Sequence, residues 1–113
     1  MENYREKPWG YEQVLKEEKG VVVKNLVISK GARISYQYHN KRTENWQIVS
    51  GEGYVIINDK KFKAFQGTEW EIKAKDKHRV EAITDLVIRE VSIDVVEDDI
   101  VRIEDDYHRE TRL

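Results

Sequence analysis

The stretch Gly31-Ala-Arg-Ile-Ser-Tyr-Gln37-Tyr-His39-Asn-Lys-Arg42-Thr-Glu44-Asn-Trp46-Gln-Ile-Val-Ser-Gly51 concentrates the chemistry of this chain. Its polar and apolar residues alternate from Arg33 to His39, which predicts a strand with Ser35, Gln37 and His39 on one face. A four-residue loop follows, of the length that joins hairpin strands. Glu44 then opens the next strand, where its carboxylate can turn back onto the face of Gln37 and His39. Trp46, two residues on, shares that face and is a candidate pocket wall. Three nitrogen or oxygen donors converge in this way, and His78 offers a fourth at the start of a later strand, after Gly67 and the polar turn Lys73 to Lys77.

Outward from this stretch the pattern repeats. Short runs rich in Val, Ile, Tyr and Trp cover Tyr11 to Lys16, Val21 to Ser29, Trp46 to Ser50, Tyr54 to Asn58, Lys61 to Phe65, Glu69 to Ile72, His78 to Ile83 and Leu86 to Val95. With Arg33 to His39 they make nine short strands, and the glycines at 10, 20, 31, 51, 53 and 67 read as turns between them. The expected fold is all-β, a sandwich, jelly roll or barrel. The best helical competitor, Arg5 to Lys19, is broken by Pro8, Trp9 and Gly10. Val96 to Asp106 is too polar for a core element and is expected as a short edge strand or a turn leading to a loose end.

The chain has 113 residues, enough for one domain. Its expected division is an N-terminal arm and first strand over 1–19, a barrel over 20–95 and an acidic segment over 96–113. Lys plus Arg is 20 and Asp plus Glu 22, a net charge of −2. That balance argues against a nucleic-acid or acidic-membrane partner. Without cysteine, thiolate metal sites and a cysteine nucleophile are excluded, so any metal is held by N and O ligands. The polar N-terminus and the lack of a long apolar run point to a cytoplasmic protein.

The spacing Gly31, Gln37, His39, Glu44, Gly51 resembles the first motif of the cupin superfamily, and Gly67 with His78 resembles the second. Lys73 and Lys75 stand where that second motif usually has proline and glycine. A narrower resemblance runs through Lys7-Pro-Trp-Gly-Tyr11, Gln37 to Arg42, Glu44-Asn-Trp46, Val49-Ser-Gly51, His78-Arg-Val-Glu81 and Glu97 to Tyr107. These segments look like the type II mannose-6-phosphate isomerase, a cupin often fused behind a mannose-1-phosphate guanylyltransferase, with the cupin here expected free-standing. The family also places glutamine where Gln37 stands.

The resemblance implies a double-stranded β-helix, one divalent metal (Zn, Co, Mn, Ni or Fe) on Gln37, His39, Glu44 and His78, and interconversion of mannose 6-phosphate and fructose 6-phosphate. Two imidazoles, an amide oxygen and one carboxylate leave such an ion a net charge of +1 and about two open positions for a sugar carbonyl and hydroxyl. Glu90 is the candidate base, because it shares a face with Ile88 and Ser92. The opposite face, Val87, Val91, Ile93 and Val95, is more apolar, so Glu90 could equally face solvent. Glu81 is a weaker candidate, since odd spacing turns it away from His78.

Arg42, in the loop beside the ligands, is the first choice for the phosphate and for catalysis, with Lys7, Lys41 and Arg102 behind it. Trp9 is expected as a core anchor, and His108 as solvated. Tyr36 and Tyr38 point away from the ligands and are expected to pack in an interface or a second sheet layer, and as outward aromatics they support an expected homodimer. Two other functions fit the same residues: an iron(II) oxygenase built on His39, Glu44 and His78, and a non-enzymatic sugar-binding module of polysaccharide metabolism.

Overall fold

The computed structural model describes residues 3–96 and 98–109. Its strands are β1 (Tyr4–Lys7), β2 (Gly10–Glu18), β3 (Val21–Ile28), β4 (Tyr36–His39), β5 (Thr43–Ser50), β6 (Glu52–Ile57), β7 (Lys60–Phe65), β8 (Glu69–Ile72), β9 (His78–Ala82), β10 (Leu86–Ile93) and β11 (Ile100–Glu104). No helix occurs among the described residues. One antiparallel sheet has the order β1-β2-β3-β10-β5-β8, the other β11-β4-β9-β6-β7. Their inner faces share one core, with Leu26, Ile28, Trp46, Ile48, Ile72 and Ile88 from the first and Val55, Ala64, Val80 and Ala82 from the second. The chain is thus an all-β double-stranded β-helix, as the alternation and the motif spacing led one to expect.

The inner face of each central strand changes character along its length. In β10 the inward side chains run Leu86, Ile88, Glu90, Ser92, all buried. In β5 they run Glu44, Trp46, Ile48, also buried. The antiparallel register sets Ser92 opposite Glu44, Glu90 opposite Trp46 and Ile88 opposite Ile48. On the other side of β10, Glu90 faces Lys24 and Leu86 faces Ile28. In the second sheet β9 begins at His78 and continues inward as Val80 and Ala82. All the polar ends therefore stack at one end of the sandwich and all the apolar ends at the other. The register fixes this, since a slip of one residue would turn every one of these side chains to the outside.

Four sequence expectations are corrected. Gly53 is no turn residue: it lies inside β6, where a Cβ would collide with the backbone carbonyl of Glu81. Gly51, by contrast, makes the turn between β5 and β6 at φ +90, with the Asp85 carbonyl where a side chain would go. The strand expected from Arg33 pairs regularly only from Tyr36, because Ile34 and Ser35 are both buried and Ile34 N–H donates to Val80 C=O at 3.1 Å.

Tyr36 is buried, and its hydroxyl donates to Asp59 at 2.6 Å, so it offers no surface to a second copy. Among the described residues, up to Arg109, the C-terminal segment is not a loose end. After the edge strand β11, Arg33 forks onto Asp106 at 2.5 and 2.9 Å, and the Tyr107 hydroxyl donates to Arg33 C=O at 3.0 Å. His108 is exposed.

Candidate metal centre

The polar end of the sandwich gathers His39 from the last position of β4, Glu44 from β5 and His78 from the first position of β9. All three are buried, and their donor atoms lie within 4.8 Å of one another. The imidazoles stack with centroids 5.2 Å apart, and the Trp46 ring packs edge-on to His78 at 5.4 Å. His78 Nδ1–H donates to Asp76 C=O at 2.8 Å, which in the neutral ring leaves Nε2 as a lone pair. That nitrogen is buried without a hydrogen-bond partner, 3.3 Å from a Glu44 oxygen.

Burial pushes the His39 imidazole down to about 3, against the opposing pull of Glu44, so at neutral pH this ring is an uncharged donor. Burial raises Glu44, but the close approach of His78, the contact with the Glu90 carboxyl and the Arg42 charge outweigh it and hold the carboxyl well below its usual range. Two imidazoles and one anionic carboxylate with donor atoms this close together fit a divalent cation. Gln37 stands directly across from His78 in the β4–β9 pairing. Its side-chain carbonyl accepts from Ser35 at 3.1 Å and keeps a second lone pair.

The turn that delivers His78 is tightly bound although it lacks the usual glycine. Lys75 takes φ +70, and its N–H donates to His39 C=O at 2.6 Å, tying the two histidines' segments together. Asp76 accepts from Lys73 N–H at 2.9 Å. On the other side of the site, Asp99 accepts backbone N–H groups of Asn40, Lys41 and Arg42 at 3.0, 3.1 and 3.0 Å. This fixes the loop between His39 and Glu44. Burial opposes ionisation of Asp99, and those three donors reverse it, lowering the carboxyl.

A cavity of about 200 Å³ opens beside the triad. Glu90 lines it, buried, on the inner face of β10. The more apolar face carrying Val87 and Val91 is the outer one, and both residues are only half-buried. Ser92 Oγ–H lies 2.9 Å from a Glu90 oxygen and 3.3 Å from Glu44. Burial and then the Glu44 charge push the Glu90 carboxyl up to about 8.

Trp46 and Arg42 line the same cavity, as do Lys7 and Arg102. Arg42 sits against the triad, its guanidinium on the His39 ring nitrogen and 3.3 Å from Glu44. Lys41 is exposed and does not line the cavity. Glu81 pairs with Arg33 at 3.3 Å and Lys61 at 3.2 Å, away from the site. Trp9 is both a core residue and part of the cavity wall.

The sequence reading missed Glu12, Lys24 and Arg109, which also line the cavity. For two of them the signal was present. Glu12 alternates with buried Val14, and Lys24 with buried Leu26 and Ile28.

The fold and this site define a cupin. Among solved structures the chain is similar to KdgF from Halomonas sp. (TM-score 0.78, 13% identity, covering 84% of this chain and 88% of that one). It is also similar to an RmlC-like cupin from Shewanella frigidimarina (TM-score 0.76, 17% identity, 84% and 86%). Residues 1–105 match the family model Mannose-6-phosphate isomerase C-terminal, and the chain belongs to that family. Two curated relatives are a mannose-1-phosphate guanylyltransferase of Klebsiella pneumoniae, 30% identical, and the alginate biosynthesis protein AlgA of Pseudomonas aeruginosa, 31% identical. Each match covers 91% of this chain but only 23% and 22% of the relative, so the chain spans under a quarter of their length. The described residues contain no helix long and apolar enough to cross a membrane.

Proposed function

We propose that this domain is a metal-dependent isomerase that interconverts mannose 6-phosphate and fructose 6-phosphate, in the supply of sugars for polysaccharide synthesis. The observation that carries this reading is Glu90, a buried carboxyl held beside the triad in the same cavity. A divalent ion on His39, Glu44, His78 and Gln37 supplies Lewis acidity toward a sugar carbonyl when bound. Glu90 takes the proton from C2 of the aldose and returns it to C1, while the hydroxyl proton passes from O2 to O1. Aldose becomes ketose with no net change in atoms or electrons.

A carboxyl raised toward neutrality suits a group that both accepts and releases a proton. Ser92 fixes its orientation by donating to it. Trp46 and Trp9 wall the cavity and restrict water. Arg42, beside Glu44, can meet the negative charge that develops on the substrate oxygens once its guanidinium is displaced from the His39 ring nitrogen by an ion. Its position against the triad suits that task better than binding a phosphate at the far end of the sugar.

Purified protein loaded separately with Zn, Co, Mn, Ni and Fe, given mannose 6-phosphate in deuterated water, tests this. Fructose 6-phosphate should form, with partial deuterium at C1 and no oxygen consumed. Binding of the sugar without turnover under every metal would reduce the site to a binding module, and oxygen uptake with iron(II) would make it an oxygenase.

A further inference from the structure

Away from the triad, the cavity is walled by a second cluster of charge. Glu12, buried in β2, has Lys24 Nζ at 3.1 Å, Arg5 Nη1 at 3.7 Å and Lys7 Nζ at 4.0 Å. One carboxylate thus faces three cations, an excess of two positive charges. Arg109 joins them at the cavity wall, oriented by Asp105 through bonds of 2.8 and 3.2 Å. Burial draws the Lys7 ammonium below its usual range, and although Glu12 opposes this, the like charges of Lys24, Arg109 and Arg5 add to it. Cations crowded in this way repel one another until an anion enters. The chain as a whole is acidic, at −2, so the cluster is a local feature rather than a reflection of composition.

The register gives its distance from the metal centre. Glu44 lies on β5, Glu90 on the neighbouring β10, and Lys24 lies opposite Glu90 on β3. Strands stand about 4.8 Å apart and Glu44 is opposite Ser92, two residues along β10 from Glu90, so the backbone of Lys24 is roughly 12 Å from that of Glu44. An open-chain hexose phosphate with its carbonyl end at the triad would bring its phosphate to this wall, and Glu90 would lie beneath the carbons between.

We propose that Lys7 and Lys24, held by Glu12 and flanked by Arg5 and Arg109, form a dianion subsite that grips the terminal phosphate of the sugar. Its distance from the triad sets the chain length that the site accepts, favouring six-carbon over three-carbon phosphates. The proposal rests on the reading of the cavity as a sugar-phosphate site. Glu12 is a positioning residue, because it touches the lysines and not the substrate.

The test titrates inorganic phosphate calorimetrically into wild-type protein, Lys7→Met and Lys24→Met, with EDTA present so that no ion competes for the phosphate. Lys7→Met serves as the second variant because Lys24 is the more enclosed, with a side chain 14% exposed against 31%. Each substitution should weaken phosphate binding about tenfold, the loss of one charged hydrogen bond. In the metal-loaded protein Lys7→Met, whose charge does not act on Glu90, should raise KM for mannose 6-phosphate by a similar factor and leave kcat nearly unchanged. Phosphate affinity and KM that ignore both substitutions in folded protein would overturn the subsite. Wild-type protein that binds phosphate at these lysines yet isomerises nothing would end the isomerase reading and leave the subsite standing.

Discussion

The two ends of the sandwich are built from the same strands under the same alternation, and they do opposite things. At one end β10, β3 and β9 bury Leu86, Ile28 and Ala82, whose packing holds the sheets together. At the other, β10 buries Glu90 and Ser92 and β9 buries His78, while β3 presents the half-buried Lys24. Burying charge costs stability unless it is paired, and here Glu44, Ser92 and the triad supply the partners. The apolar end provides the folding free energy that lets the polar end hold groups an isolated hairpin could not keep from water.

Substitutions should separate the ends. Glu90→Gln keeps the shape of the side chain and removes its proton transfer, so kcat for the isomerisation should fall about 10²- to 10⁴-fold with the fold and metal content intact. A stopped assay on metal-loaded protein and circular dichroism check this together. Ile88→Ala, one inward position along the same strand, should cost about 2–5 kcal/mol of stability by chemical denaturation. Metal affinity of the protein that remains folded should not change. Equal loss of stability from both substitutions would abolish the distinction between the ends.

Much of this division could be read in the sequence, and the parts that could not have physical reasons. The motif spacing placed His39, Glu44 and His78, because period-two alternation and a short loop bring such residues together wherever the strands pair. Alternation does not say which face is inward. In β10 the usual guide of hydrophobicity pointed the wrong way, since the inner face carries the chemistry and the outer one Val87 and Val91. The docking of the C-terminal segment was hidden because its bonds, Asp106 to Arg33 and Tyr107 to the Arg33 carbonyl, span 73 and 74 residues. Lys24 and Glu12 were legible as inward positions but looked like ordinary solvated charges.

Acid should strike the polar end first. His39 stays neutral in the fold, lowered from 6.5 to about 3, whereas the unfolded chain takes up a proton near 6.5. The unfolded state therefore binds more protons between these values, and metal-free protein should lose stability as pH falls from about 6.5 toward 3. Denaturation midpoints measured across that range should fall less in His39→Gln. The smallest effect belongs to the turn before His78. Lys75→Gly relieves a left-handed lysine at φ +70 and should raise stability by about 1 kcal/mol or less, readable as a small rise in Tm.

Metal content measures the polar end most directly. Wild-type protein, His39→Ala, His78→Ala and Glu44→Gln, each purified, dialysed against the same divalent ion and analysed by mass spectrometry, should divide sharply. Wild type should hold about one ion per chain, both alanine variants should lose most of it, and Glu44→Gln should bind weakly for want of its negative charge. Wild-type metal content in both His39→Ala and His78→Ala would contradict the account and return these histidines to the role of packed residues between two sheets.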